Sequence, residues 1–299
     1  MDELRAMCAE VAARATHVTV VTDAIATAYA GGRPVAEPDA APVDAGPEEL
    51  TARTLTLDAI NFGSGWFPTL RKRPGMSGYG TVAAGLAERF DASGPWTAAE
   101  LAELDTAALA RVLGQDPEHE LIALYAASLR DLGDRVTAEY GGHFAAVADA
   151  AAGSATRLAL LLGGWRCFAD HSRYDELDIP FLKRAQIAAA DLQRAGTAEW
   201  RDLDRLTMFA DNLVPHVLRL DGVLRFSEEL VARIEREELI EHGSREEIEI
   251  RACAVHAVEL LVAAGAGPTA AELDQGLWQR GQRPHYKAAP RHRTRCTAY

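Results

Sequence analysis

The chain has 299 residues, 48% of them hydrophobic, and its 31 Lys and Arg against 44 Asp and Glu give a formal charge of −13. That length and apolar share suffice for a sizeable buried core and argue against intrinsic disorder. The acidic balance argues against a surface built to neutralise nucleic-acid phosphates or to lie on anionic lipid, so any anionic ligand must find a local basic pocket.

Alanine, leucine and arginine are abundant, alternating β-branched runs are scarce, and apolar residues recur at i, i+3, i+4 spacing. The pattern predicts an all-α fold. A first helix is predicted over residues 2–30, ended by Gly31 and Gly32. "GGRPVAEPDAAPVDAGPEE", residues 31–49, reads as an irregular connector. From Leu50 a short helix leads into "LDAINFGSGWFPTLRKRPGMSGYG", where glycines, aromatics and basic residues crowd together without a helical period and predict a loop of unusual content. In "GPWTAAEL", Thr97 and Glu100 have capping-box spacing. Helices are predicted over 105–114, 117–139 and 142–162. "DIPFLKRAQIAAADLQRA" predicts another, starting near Pro180 and running to Arg194. Further helices are expected near 215–220, 226–240, 244–264 and 269–281, followed by the polar tail "PHYKAAPRHRTRCTAY". With no repeat period and no dividing linker, residues 1–299 read as a single helical domain.

The N-terminus "MDELRAMCAEVAARA" lacks the apolar core of a signal peptide, and no run approaches the roughly 20 apolar residues that span a bilayer. Cys8, Cys167, Cys253 and Cys296 are far apart and show no metal spacing, which suits structural thiols in a reducing compartment. The expectation is a soluble cytoplasmic protein without membrane attachment.

"LTMFADNLVPHVLR" holds one carboxylate, Asp211, between an apolar run and a proline suited to a helix start. Asp211 reads either as a helix cap, worth about 1 kcal/mol, or as a catalytic anion. Pro215 fits best near the first helical position, with Leu213 or Val214 as the cap and Asp211 one step outside, facing the positive end of the helix. A carboxylate so placed is similar to the catalytic aspartate of helix-hairpin-helix DNA glycosylases. A fixed anion there would stabilise the oxocarbenium-like sugar of N-glycosidic cleavage.

The blocks "LDAINFGSGWFPTL", "MSGYGTVAAGL", "PFLKRAQIAAADL", "LTMFADNLVPHVLRLDGVL", "EEIEIRACAVHAVELL", "ELDQGLW" and "RHRTRC" follow one another in an order that resembles the queuosine salvage protein family, from about residue 55 onward. The resemblance implies a monomeric helical enzyme with a DNA-glycosylase-like fold. It implies hydrolysis of queuosine 5′-monophosphate to queuine and ribose 5-phosphate, with no metal or organic cofactor and no nucleic-acid partner. It puts the nucleophile or transition-state stabiliser at Asp211, a base contact at Phe209, and queuine recognition at Asp274 with Gln275 beside it. This chain departs from the family's eukaryotic pattern at Gln275, Gln279 and Asn212, which bears on contacts to the base edge rather than on the reaction.

The deazaguanine plane needs an aromatic slot, for which Phe209, Phe62, Trp66 and Tyr79 are candidates, with Asn61 beside Phe62. An ionised Asp274 would accept hydrogen bonds from the base's N1–H and amino edge. The phosphate needs cations, and the dense basic clusters are Arg71 to Arg73, Lys183 with Arg184, and Arg291, His292, Arg293 and Arg295. Lys183 and Arg184 come first, then His292 and Arg293. As helical neighbours pointing about 100° apart, Lys183 and Arg184 should not both reach one ligand. A 7-deaza base has carbon where purines carry N7, so protonation there is closed and the leaving group needs help elsewhere.

His171, His216, His256, His285 and His292 each suit acid–base work by type, but no constellation makes a triad or metal site. The competing readings are a DNA-repair glycosylase, against which the net charge stands, and a non-catalytic protein that binds queuine or its nucleotide.

Overall fold

The structure, a computed structural model, describes residues 1–25, 27–29, 34, 45–265 and 267–299. Among these, fifteen α-helices carry most of the chain, and two antiparallel two-stranded sheets complete the regular elements. The predicted all-α character holds at the level of the whole fold; the exceptions are short.

The first is in the N-terminal stretch. The opening helix covers Asp2–Arg14 and ends where Ala15 turns extended, and Val18–Val20 then pairs with Leu224–Phe226, Val18 opposite Phe226. Three residues are too few to show alternation in a sequence. The predicted stop at Gly31 and Gly32 lies outside the described residues, as does most of the connector. The connector ends earlier than predicted, because Pro47 opens a helix over Pro47–Ala59 with Glu48 and Glu49 in its first turn. Proline at the first position removes an N–H that has no helical partner anyway. Glu48 also accepts the N–H groups of Phe144 and Ala145, capping a second helix.

The predicted helix over 142–162 is two, Phe144–Ala150 and Ala155–Gly163. Ala152 and Gly153 adopt positive φ between them, and Ser154 caps the second. Pro180 does not start a helix either. It closes the hairpin of His171–Tyr174 with Leu177–Pro180, and the helix that follows is Lys183–Arg194, entered through Leu182 at φ 53°. The predicted 226–240 helix is confined to Glu228–Glu235, since Phe226 belongs to the strand. The predicted capping box of Thr97 with Glu100 forms, and Thr269 with Glu272 makes a second.

The tail differs most from expectation. After a helix over Pro284–Ala288 it runs extended through the protein, with His292, Thr294, Cys296 and Ala298 buried and Arg295 and Thr297 exposed. Backbone bonds fix it at both ends, Ile240 N–H to Arg293 O at 2.9 Å and Gly63 N–H to Tyr299 O at 3.1 Å. Glycine is required at position 65, where a Cβ would come within 2.5 Å of the Thr294 carbonyl.

The apolar core divides into two main clusters. One gathers the helices between Ala52 and Leu192; the other joins the N-terminal helix to the helices after Leu213. The segment before Asp211 stitches them together, with Leu206 and Phe209 in the first and Met208 and Ala210 in the second. All four cysteines are buried and free. No single helix among the described residues is long and apolar enough to cross a membrane.

Candidate functional site

A cavity of about 720 Å³ opens where the two clusters meet. Its wall takes residues from the loop after Ala59, one face of the Lys183–Arg194 helix along its length, the Phe209–Leu213 segment, the Ala270–Arg280 helix and the tail.

Asp211 lies on this wall. The helix Leu213–Leu220 starts with Asn212 in the cap position, and Asp211 Oδ1 accepts the N–H groups of Leu213 at 2.8 Å and Val214 at 3.0 Å. Pro215 is thus the third helical residue, not the first. It still costs no helical hydrogen bond, because the first four N–H groups have no intrahelical acceptor. Among the described residues Oδ2 makes no hydrogen bond, so one oxygen fixes the carboxylate and the other is left over.

Lys183 is on the same wall, near enough for the charge of Asp211 to act on it. Its Nζ donates to the Asn61 carbonyl at 3.0 Å and Asn61 Oδ1 at 3.4 Å. Burial lowers its pKa, and the neighbouring Asp211 opposes that shift. Behind it sits Asp58, buried, with both oxygens lacking a hydrogen bond; burial, and then Asp191, push its carboxyl well above the usual range.

Asp274, on the Ala270–Arg280 helix, closes another side, its Oδ1 accepting the Phe209 N–H at 3.0 Å. Burial, together with Asp211, pushes this carboxyl well above the ordinary carboxylate range. That surrounding disfavours the ionised form of Asp274 expected from sequence and favours the carboxylic acid. A carboxylic acid, unlike a carboxylate, donates a hydrogen bond as well as accepting one.

Basic side chains share the wall with these acids. Lys72, Lys287, Arg291 and Arg293 all reach it. Burial lowers the Arg291 pKa while Asp211 supports its charge.

Of the residues singled out from sequence, the cavity brings together Asp211, Phe209, Asp274, Gln275, Asn61, Phe62, Tyr79, Asn212, Lys183 and Arg293. It does not bring Trp66, Gln279, Arg184 or His292 to its wall. Trp66 is buried behind the loop, donating to Glu120 at 2.7 Å. Gln279 lies off the helix face that presents Asp274, Gln275 and Trp278. The Arg184 guanidinium, fully buried, holds the carbonyls of Ala59, Cys167 and Ala298 and stacks on Phe62. His292 is buried with neither ring nitrogen bonded, and burial pushes it down to about 3, so it carries no positive charge for a phosphate. The sequence reading did not single out Tyr299, Ile187, Asp191 or Trp278, all on the wall. Ile187 and Asp191 follow Lys183 at helical spacing of four, which was the available signal. Among the described residues no group of three His, Cys, Asp or Glu is placed to hold a metal ion.

A family model described as queuosine salvage protein matches residues 42–299. The chain is 34% identical over 267 residues to a protein of Sphaerobacter thermophilus named queuosine 5′-phosphate N-glycosylase/hydrolase, covering 85% of this chain and 83% of that one. A protein of the same name from Bos taurus is 31% identical over 245 residues, 75% of this chain and 72% of its own.

Proposed function

Because the chain belongs to the queuosine salvage protein family, we propose that the cavity is an active site that hydrolyses the N-glycosidic bond of queuosine 5′-monophosphate, releasing queuine and ribose 5-phosphate for reuse of the base in tRNA. The observation that carries this reading is Asp211, a carboxylate fixed at a helix start with one oxygen left over, on the wall of a cavity lined by both acidic and basic side chains.

Asp211 supplies negative charge where the sugar carbon turns cationic as the base departs, and its fixed orientation avoids reorganisation during the step. The Lys183 ammonium, held on Asn61, keeps this carboxylate company. The deazapurine plane lies against Phe209 and Phe62, with Tyr79, Gln275 and Asn212 around its edges. Asp274, protonated, answers the leaving-group problem: its O–H donates to the departing base and spreads the developing negative charge. The phosphate takes the basic rim of Arg291 and Arg293, with Lys72 and Lys287 beyond; Lys183 is engaged nearer the sugar. On this reading the protein works as a cytoplasmic monomer on a free nucleotide and binds no nucleic acid.

The test is to incubate purified protein with queuosine 5′-phosphate and to look for free base and ribose 5-phosphate. Turnover is expected. Tight binding without cleavage would instead identify a carrier or sensor, and salt-dependent binding and cleavage of damaged duplex DNA would identify a repair glycosylase.

A further inference from the structure

Resting on that reading of the cavity, we infer that Arg251 is a positioning residue, a single buried guanidinium that sets the placement of Asp211 relative to Lys183. Arg251 belongs to the helix Arg245–Ala263, has no exposed surface and is not on the cavity wall. Its Nε donates to the carbonyl of Ala210, the residue before Asp211, at 2.9 Å. Its Nη2 donates to both oxygens of Asp170, at 2.9 and 2.7 Å. Asp170 Oδ2 in turn accepts the backbone N–H of Lys183 at 2.9 Å. One planar group therefore ties the peptide entering Asp211 to the first residue of the Lys183 helix.

Both carriers sit where regular structure begins. Asp211 ends an irregular segment, and Lys183 follows a residue in left-handed conformation. The rings of Phe181 and Tyr299, 4.0 and 4.5 Å from the guanidinium carbon, hold its plane, and Glu247 lies 3.6 Å from Nη1. A buried ion pair is weak evidence for stability, because apolar side chains of equal volume often serve as well. Apolar side chains cannot fix hydrogen-bond directions at two ends, and a misplacement near 1 Å can cost about 10²-fold in rate.

The experiment compares the wild type with Arg251→Lys, which keeps the charge and loses the fork, with Asp170→Asn, and with the Asp170→Asn/Arg251→Met double variant, which removes both charges. kcat on queuosine 5′-phosphate is expected to fall roughly 10- to 10²-fold with KM within about threefold. It should stay low in the double variant even where melting temperature recovers. Amide exchange is the second readout and needs no substrate. In Asp170→Asn, exchange should accelerate at Leu213 and Val214, which Asp170 does not touch, without a general rise elsewhere. Wild-type kcat in a folded single variant, a double variant regaining rate together with stability, or unchanged exchange at Leu213 and Val214 overturns the inference. If single variants do not fold, the double variant decides. A wild type without turnover would count against the functional reading alone, and exchange would still decide this one.

Discussion

Asp211 Oδ1 accepts the backbone N–H of Val214 at 3.0 Å as well as that of Leu213, so this carboxylate caps its helix with one oxygen and leaves the other over. The two readings of Asp211 from sequence, cap and catalytic anion, are compatible in one geometry. They come apart in two variants. Asp211→Asn keeps an amide oxygen for the two N–H groups but loses the charge, so it should lower turnover about 10³-fold with nearly unchanged melting temperature and ligand affinity. Asp211→Ala should lose turnover equally and about 1 kcal/mol of stability in addition. Kinetics and thermal melts on the two proteins check this; full activity in Asp211→Asn would remove the residue from its proposed role.

Arg291 reaches the cavity where Arg184 and His292 do not, which shifts the phosphate expectation onto the basic rim. Arg291→Met should raise KM for queuosine 5′-phosphate by at least about tenfold, the worth of a hydrogen bond to a charged group. Unphosphorylated queuosine, if it is turned over at all, should be affected much less. A loss of equal size on both substrates would place Arg291 away from the phosphate.

Much of this was legible in the sequence because it is local. Helices follow from apolar spacing, the capping box of Thr97 with Glu100 from their separation by three, and the presence of only one of Lys183 and Arg184 at the wall from the angle between helical neighbours, which does not say which one. What escaped is set by partners distant in the chain. Val18–Val20 is a strand only because Leu224–Phe226 lies beside it, and Pro180 closes a strand rather than opening a helix because His171 is opposite. The tail reads as polar, yet "RHRTRCTA" buries every second residue, the period of an extended segment, and its charged positions hide the pattern. The Asp274 charge state could not be read from type, since desolvation sets it.

His242 and Glu247 give a stability prediction with a definite sign. Cys296 and Glu247 hold His242 up at about 10, while His242 and Arg251 hold Glu247 down to about 2 against the burial that opposes them. His242 Nδ1 lies 3.5 Å from Glu247 Oε1. A histidine raised above its unfolded value of 6.5 contributes stability that is complete below pH 6.5 and fades as pH rises toward 10. Glu247, depressed, contributes above its unfolded value of 4.5 and loses that contribution as pH falls toward 2. His242→Gln should therefore melt below the wild type at pH 6 and level with it near pH 10. The gain is modest, since His242 is about one-third exposed and solvent screens the pair. Equal melting temperatures at pH 6 would show that the pair contributes nothing.

Asp274 should control the alkaline side of the activity profile. Burial and the neighbouring Asp211 raise its carboxyl well above the usual range, so it keeps its proton at a pH where an exposed aspartate is ionised. If the O–H assists the departing base, kcat is full below that raised pKa and falls as pH climbs through it. Asp274→Asn retains a hydrogen-bond donor but cannot release a proton, so it should turn over about 10²-fold more slowly and lose the alkaline limb. Asp274→Ala should lose the contact to the base as well, and with it affinity for queuine. The opposite result, a rate that rises with pH through this range and an asparagine variant with the wild-type profile, would assign Asp274 to recognition as an ionised acceptor. The base would then leave without its help.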